Sequence, residues 1–242
     1  MRIELNCDAG EGKGGLAGGQ DAALIPLVSA VNIACGAHAG DAASIERTIA
    51  LASAAGAVIG AHPSYPDREG FGRRHLDMEP DALEASLVSQ IEAVASATRS
   101  LSVAMRHVKV HGALYNEAAT DAALVAVVVQ AIARVSRALL VIGPPGSRLL
   151  AAAEAAGMGS MAEGFADRAY EVDGTLRPRT LPGAVHTDPE VAARQAVELA
   201  ATGRYATLCI HGDTPGAPRI AAAVRAALTA AGHDVPGTPA VP

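Results

Sequence analysis

The sequence predicts an α/β fold in which seven parallel strands, each followed by a helix, close into a barrel. Short apolar runs alternate with helical stretches along the 242 residues, a pattern typical of parallel α/β folds. Half of the residues are hydrophobic and 18% are charged, enough apolar surface for a packed core. An open doubly wound sheet would show the same alternation. The polar residues on one face of several strands favour the closed barrel, whose interior can gather them.

The predicted strands are short and evenly distributed. They are Arg2–Asp8, Ala30–Cys35, Ala57–Ala61, Val103–Val110, Ala138–Ile142, Gly159–Gly164 and Thr207–His211. Several helices between them have clear ends, such as the one that begins after Asp188 with Pro189 and closes at Gly203. The first helix is the least regular, because Pro26 lies inside it. We expect one barrel domain over residues 1–235 and a flexible tail over 236–242.

Composition and charge exclude several classes of function. The net charge of −6 argues against nucleic-acid binding, which typically requires an excess of positive charge. Aromatic residues make up 2% of the chain and Trp is absent, so stacking platforms for bases or glycans are not expected. No apolar run is long enough for a bilayer, so no membrane partner is expected. Three widely separated cysteines, Cys7, Cys35 and Cys209, indicate a reducing cytoplasmic location and a role as apolar fillers.

Three strands carry polar side chains at alternate positions, and alternate positions share one face of a strand. Helices cover the outside of a barrel, so these faces are predicted to point inward and to converge at the carboxyl ends of the strands. The chain has 19 basic residues, of which only Lys13 and Lys109 are lysine. Lys109 is therefore expected to need a compact charge or a titratable amine, which arginine cannot supply. The three faces consist of Glu4, Asn6 and Asp8; His107, Lys109 and His111; and Cys209, His211 and Asp213.

Six short runs follow the predicted strands, and their order is more specific than any one of them. They are Asn6 to Gly12 (NCDAGEG), Asn32 to Asp41 (NIACGAHAGD), Gly60 to Arg68 (GAHPSYPDR), Lys109 to Asn116 (KVHGALYN), Phe165 to Arg168 (FADR) and His211 to Asp213 (HGD). Together they resemble the LamB/YcsF family, the A components of bacterial ATP-dependent 5-oxoprolinases, from about Arg2 to Asp213. The Gly-rich insert from Lys13 to Gly19 departs from the family pattern.

The resemblance implies a barrel similar to that of polysaccharide deacetylases and glycoside hydrolases. It also implies cleavage of 5-oxo-L-proline to L-glutamate with hydrolysis of ATP, with Mg²⁺ accompanying the nucleotide, and the B and C components of 5-oxoprolinase as partners. The expected catalytic residues are Asp8, His38, His62, Lys109 and His111. The expected substrate-binding residues are Asn6, Glu11, Asp41, Arg68, Arg73, Asp167, His211 and Asp213.

Within this set, roles can be suggested from chemistry. Asp8 or His38 is expected to act as the general base. Lys109 and His111 are expected to stabilise the oxyanion or the leaving phosphate. Arg68 or Arg73 is expected to bind the substrate carboxylate.

Other interpretations of the same residues stay open. Asp8, His38 and His62 could bind a divalent metal in a metal-dependent deacetylase or amide hydrolase, although no His-x-His or His-x-x-x-His pair supports it. A non-catalytic ligand-binding scaffold is also possible, but burying charge without a function is costly. Asp41 also fits the structural role of capping a helix. Asp167 could form a local ion pair with Arg168 instead of binding the substrate. His107 fits a buried structural role, and the run from Gly10 to Gly15 fails the Walker pattern for phosphate binding.

Overall fold

The structure is a computed structural model that describes residues 1–12 and 20–237. The Gly-rich insert from Lys13 to Gly19 and tail residues 238–242 lie outside the described residues. Seven parallel strands pair in chain order and the last pairs with the first, so the predicted closed barrel is confirmed. The strands are β1 (Glu4–Ala9), β2 (Ala30–Ala34), β3 (Val58–His62), β4 (Met105–Lys109), β5 (Leu140–Gly143), β6 (Ser160–Phe165) and β7 (Thr207–His211).

Helices fill the connections between the strands. They are α1 (Asp21–Leu24), α2 (Ala42–Ala54), α3 (Pro80–Ser100), α4 (Gly112–Glu117), α5 (Ala122–Val135), α6 (Arg148–Ala155), α7 (Pro189–Ala201) and α8 (Ala217–Ala230). Pro26 shortens α1 to one turn, which continues as a 3-10 turn over Ile25–Leu27. Among the described residues, no helix combines the length and the apolar character that crossing a membrane requires.

Helix starts follow the capping residues in the sequence. Asp41 begins α2, where its carboxylate accepts a hydrogen bond from the Ser44 backbone amide and the Ser44 hydroxyl accepts one from the Asp41 amide. Asp188 begins α7, where its carboxylate accepts a hydrogen bond from the Glu190 backbone amide and Pro189 occupies the first helical position. The capping interpretation of Asp41 is therefore confirmed.

The two faces of each strand have opposite character. Outward side chains such as Leu5, Ile33 and Val108 are fully buried in the apolar core that the helices cover. Many of the inward side chains are polar, and most of their buried polar atoms form hydrogen bonds with one another; Glu163 Oε2 is an exception. The Asn6 amide donates to Glu163 and to Thr207, at 2.9 Å each. This layer gives the barrel a rigid polar interior below the carboxyl ends of the strands.

Gly60, which faces inward on β3, makes room for the imidazole of His107. The Nε2 atom of His107 lies 2.8 Å from the Asn32 side-chain oxygen, across the space that a side chain at position 60 would occupy. A Cβ atom on Gly60 would overlap that ring. Burial, followed by the charge of Lys109, lowers the pKa of His107 to about 3, so this histidine is neutral. His107 is a buried structural histidine, as the sequence indicates.

We predict that Gly60→Ala destabilises the protein by about 1–3 kcal/mol, because the imidazole of His107 is buried and cannot move aside. The free energy of unfolding in urea measures the change. Gly159→Ala is the matched control, since a Cβ there meets only ordinary contacts with Leu140. Equal stability of the two variants would contradict the steric role of Gly60.

Candidate active site

Lys109 lies at the centre of the barrel interior, fully buried. Its ammonium nitrogen is 3.0 Å from Asp8 Oδ1, 2.9 Å from Glu163 Oε1 and 3.1 Å from the Cys209 sulfur. The same nitrogen lies 5.2 Å from the centre of the Phe165 ring. Burial opposes the charge, but the neighbouring Asp8, Cys209 and Glu163 raise the pKa of Lys109 well above its usual range. Lys109 is therefore a compact fixed charge, and its amine does not titrate in the neutral range.

Two contacts of Lys109 go beyond the expectations. Cys209 belongs to the buried core, as expected, but its sulfur also contacts the ammonium group of Lys109. Glu163 was missed, although β6 carried the signal. Glu163 and Phe165 are two residues apart on β6, so their side chains share one face of the strand, and that face points inward. Lys109 and His111 are spaced in the same way at the end of β4. Asp213 was expected near Lys109, but its carboxylate instead contacts two arginines at the rim.

Asp8 connects the interior to the carboxyl end of the barrel. Its Oδ1 atom accepts hydrogen bonds from Lys109 at 3.0 Å and from the Asn32 amide at 2.8 Å. Its Oδ2 atom faces the carboxyl end of the barrel and lies 3.3 Å from the Nε2 atom of His62. Burial would raise the pKa of Asp8, but His62 and Lys109 hold it well below its usual range. Asp8 is therefore ionised, and one of its oxygens is directed towards the site.

Three histidines and Glu11 meet above Asp8. The rings of His38 and His111 stack with centroids 4.0 Å apart, and His111 Nδ1 lies 2.9 Å from His62 Nε2. Glu11 Oε1 lies 3.1 Å from His38 Nε2, 3.7 Å from His111 Nδ1 and 4.0 Å from His62 Nε2. Burial lowers the pKa of His38 and His111, whereas the Asp8 carboxylate raises the pKa of His62 against the effect of burial. These five groups form one ionisable cluster.

The loop from Phe71 to Arg73 closes over this cluster. Phe71 adopts a left-handed backbone conformation (φ 57°), and its carbonyl oxygen lies 2.9 Å from His111 Nε2. Gly112 also has a positive φ (66°), and a Cβ on it would overlap the Gly72 carbonyl. Phe71 is not a glycine, so its left-handed backbone conformation is strained, and such strain concentrates at functional sites.

Asp167 and His211 form a second group beside Lys109. The Nδ1 atom of His211 is 2.9 Å from Asp167 Oδ1, and Asp167 Oδ2 accepts from the Thr214 hydroxyl at 2.6 Å. The His211 ring stacks on Phe165, with centroids 5.2 Å apart. Among the described residues, none forms a hydrogen bond with His211 Nε2. The alternative of a local ion pair between Asp167 and Arg168 is wrong, because the Arg168 guanidinium donates to the carbonyls of Arg177 and Ala184.

The remaining predicted residues lie around the rim. Arg73 Nη2 lies 2.5 Å from Asp213 Oδ2, and Arg179 lies 3.3 Å from the same oxygen. The Arg73 guanidinium covers the Phe71 ring at 4.7 Å. Arg68 donates to the carbonyls of Gly36 and Gly40, where it fixes the loop after β2.

The structure thus brings together most of the predicted site. Asn6, Asp8, Glu11, His38, His62, Lys109 and His111 share one network, Asp167 and His211 lie beside it, and Arg73 and Asp213 lie at its rim. Asp41 and Arg68 do not join these side chains, because both are engaged with loop and helix backbone.

Four of these side chains could hold a metal ion. Asp8, Glu11, His62 and His111 each offer one ligand atom, and the four atoms lie within 4.8 Å of one another. Two of them, Asp8 and His62, belong to the ligand set considered from the sequence; His38 instead contacts Glu11.

A closed parallel barrel with buried histidines and carboxylates at the carboxyl ends of its strands is the architecture of a barrel enzyme. The sequence profile of the LamB/YcsF family matches residues 3–241, and the chain belongs to this family. It is 45% identical to the A component of 5-oxoprolinase from Chloroflexus aurantiacus, over 97% of this chain and 98% of that protein.

Solved structures agree with this assignment. The lactam utilization protein of Thermus thermophilus has a TM-score of 0.89 and 39% identity, covering 97% of this chain and 99% of its own. A T48 deacetylase, at 14% identity and a TM-score of 0.50, shares the fold over 98% of this chain and 88% of its own. The similarity to a deacetylase barrel expected from the sequence is confirmed at the level of the fold.

We predict that Lys109→Met destabilises the protein by about 3–5 kcal/mol at neutral pH, because two buried carboxylates, Asp8 and Glu163, would lose the ammonium group that they share. Loss of the ammonium would raise the pKa of Asp8 in the folded variant, because His62 would then be the main group that opposes the effect of burial. The difference in unfolding free energy from the wild type should therefore shrink as the pH falls through the pKa of Asp8 in the variant. Urea unfolding between pH 5 and 8 measures it. A pH-independent difference would contradict the role of Lys109 as counter-ion.

Proposed function

We propose that this chain is the A component of an ATP-dependent 5-oxoprolinase, which cleaves 5-oxo-L-proline to L-glutamate together with the B and C components. The relatives that carry the name of this 5-oxoprolinase component, at about 45% identity over almost the whole chain, are the main support. The similar lactam utilization protein points to the same class of substrate. In the structure, the proposal is carried by the Asp167–His211 pair, which lies beside the ionisable cluster. Asp167 contacts Nδ1 of His211, and the other ring nitrogen, Nε2, points away from Asp167.

The substrate explains why ATP is needed. A five-membered lactam is an unreactive amide, and phosphorylation of its oxygen by ATP with Mg²⁺ makes the ring carbon a better electrophile. Water then adds to that carbon, and the C–N bond breaks as the ring nitrogen gains a proton. This leaves an acyl phosphate, which a second water hydrolyses to glutamate and phosphate. The reaction needs a base for water and an acid for the leaving nitrogen.

The site offers a residue for each task. His211 suits the proton donor, because Asp167 fixes its Nδ1 atom and leaves Nε2 available, the arrangement that orients histidines in catalytic triads. Of the two base candidates, His38 is better suited than Asp8, since an Asp8 pKa well below its usual range makes that carboxylate a weak base. His62, His111 and Glu11 surround the position where a water would be activated. Lys109 keeps Asp8 ionised below them.

The substrate carboxylate fits the arginines at the rim. Arg73 and Arg179 now share the Asp213 carboxylate, which occupies the position that a substrate anion would take. Arg68 is less suitable, because it is bound to two loop carbonyls. We therefore assign carboxylate binding to Arg73.

A metal-dependent amide hydrolase or deacetylase is the second candidate function. The four ligand atoms contributed by Asp8, Glu11, His62 and His111 favour it. Such an enzyme would hydrolyse acetylated amines without ATP or partner chains. ATP-independent release of acetate by the isolated chain would support this candidate over the 5-oxoprolinase.

We predict that the isolated chain shows little ATP hydrolysis that depends on 5-oxoproline, because its sequence contains no Walker-type phosphate loop. Coexpression with candidate B and C components should restore glutamate formation, measured together with phosphate release. Robust turnover by the chain alone would refute the dependence on partners.

We also predict that Asp167→Asn lowers kcat of the assembled enzyme at least about tenfold with little change in KM, because the His211 ring loses its fixed tautomer. Steady-state glutamate formation measures both constants, and the melting temperature reports on the fold. Asp173→Asn is the matched control, since Asp173 is exposed and contacts only Thr175. A rise in KM alone would assign Asp167 to binding.

A further inference from the structure

We infer that Asp8, Glu11, His62 and His111 form a binding site for one divalent transition-metal ion. The inference concerns ion binding and stands on the geometry of these four side chains, whether or not the lactam is the substrate. It differs from the ligand set that the sequence suggested, because His111 and Glu11 take the place of His38.

The protonation of the two histidines is fixed by backbone carbonyls. His62 Nδ1 lies 2.6 Å from the Lys109 carbonyl oxygen, and His111 Nε2 lies 2.9 Å from the Phe71 carbonyl oxygen. A carbonyl oxygen can only accept, so each of these nitrogens carries the proton of its ring. The opposite nitrogens, Nε2 of His62 and Nδ1 of His111, therefore present lone pairs. They face each other at 2.9 Å, and in the state in which both rings are neutral no hydrogen lies between them.

The two carboxylates add further acceptors to the same point. Asp8 Oδ1 is occupied by Lys109 and Asn32, so Oδ2 is the oxygen left to face His62, at 3.3 Å. Glu11 Oε1 lies 3.7 Å from His111 Nδ1. With both rings neutral, two nitrogen lone pairs and two carboxylate oxygens converge without a donor among them. A cation between them would convert this repulsion into attraction.

The separations of the ligand atoms suit a metal ion. Bonds of about 2.1 Å place neighbouring ligand atoms about 3.0–3.4 Å apart and opposite ones about 4.2 Å apart. Four of the six separations, 2.9, 3.3, 3.7 and 4.0 Å, lie in or close to this interval, and all six are within 4.8 Å. Two imidazoles with two carboxylates favour zinc, iron, cobalt or manganese over Mg²⁺ and Ca²⁺, which prefer oxygen ligands.

Each candidate ligand is also oriented by a further contact with a neighbouring group, as metal ligands usually are. The carbonyls of Lys109 and Phe71 orient the two imidazoles, and the Lys109 ammonium orients Asp8. His38 Nε2, 3.1 Å from Glu11 Oε1, orients the second carboxylate. When bound, the ion would supply Lewis acidity and a more acidic water at the carboxyl end of the barrel.

A proton shared between His62 and His111 is the alternative to a metal ion. It would make one ring an imidazolium and relieve the contact between the two nitrogens. Asp8 and Glu11 would then balance the charge of the imidazolium, and the protein would bind no metal. Metal content separates the two directly.

The test is metal analysis of the untagged chain, purified without chelator, followed by removal of metal and titration with Zn²⁺, Mn²⁺ and Co²⁺. We expect one ion per chain, a higher melting temperature with metal, and visible absorption from bound Co²⁺ that reports its coordination. Glu11→Gln and His111→Gln should each weaken binding at least about tenfold. Glu11 lies near the surface of the cluster, so its variant should fold even where His111→Gln does not.

His75→Gln is the matched control. His75 is exposed, pairs with Glu117 and takes no part in the cluster, so this variant should keep the full metal content. The inference is wrong if the wild type binds none of the three ions more tightly than Glu11→Gln does. Because no lactam or ATP is present, this result is independent of the proposed activity.

Discussion

The ion pairs of Lys109 with Asp8 and Glu163 are the interaction on which the site depends. A lone charge buried at this depth would be strongly destabilising, so the ammonium and its two carboxylates require one another. Asp8 uses one oxygen for this pairing and directs the other to His62. The charge at the centre of the barrel is thereby linked to the chemistry at its carboxyl end, and the histidine cluster is built on an aspartate that stays ionised.

The narrow barrel explains why this support is rigid. Larger barrels fill their interior with layers of branched apolar side chains. Here the inward layer includes two amides, a carboxylate and a histidine, joined by hydrogen bonds such as those from Asn6 to Glu163 and from Asn32 to Asp8. Gly60 contributes no side chain, and the His107 ring occupies that space. Groups held on strands in this way are positioned more accurately than groups on loops, which favours a site that needs fixed proton donors and acceptors.

The strands and most of the site could be predicted because both follow from a period of two residues. All seven strands lie where the sequence placed them, with ends shifted by at most two residues, and the inward faces of β1 and β4 are as expected. The contacts made by loops could not be predicted this way. Nothing in the period shows that the Phe71 carbonyl turns to His111, or that Arg168 leaves its sequence neighbour Asp167 for backbone carbonyls. Glu163 could have been found, since its alternation with Phe165 follows the same rule as Lys109 and His111.

The two phenylalanines give the site an apolar surrounding beside its charged groups. The chain has only two, and both contact the functional groups. Phe165 stacks on His211 and lies beside the Lys109 ammonium, whereas Phe71 packs edge-on against His38 and His111 and lies below Arg73. Apolar rings beside charged groups exclude water and lower the local dielectric constant, which strengthens every electrostatic interaction around them.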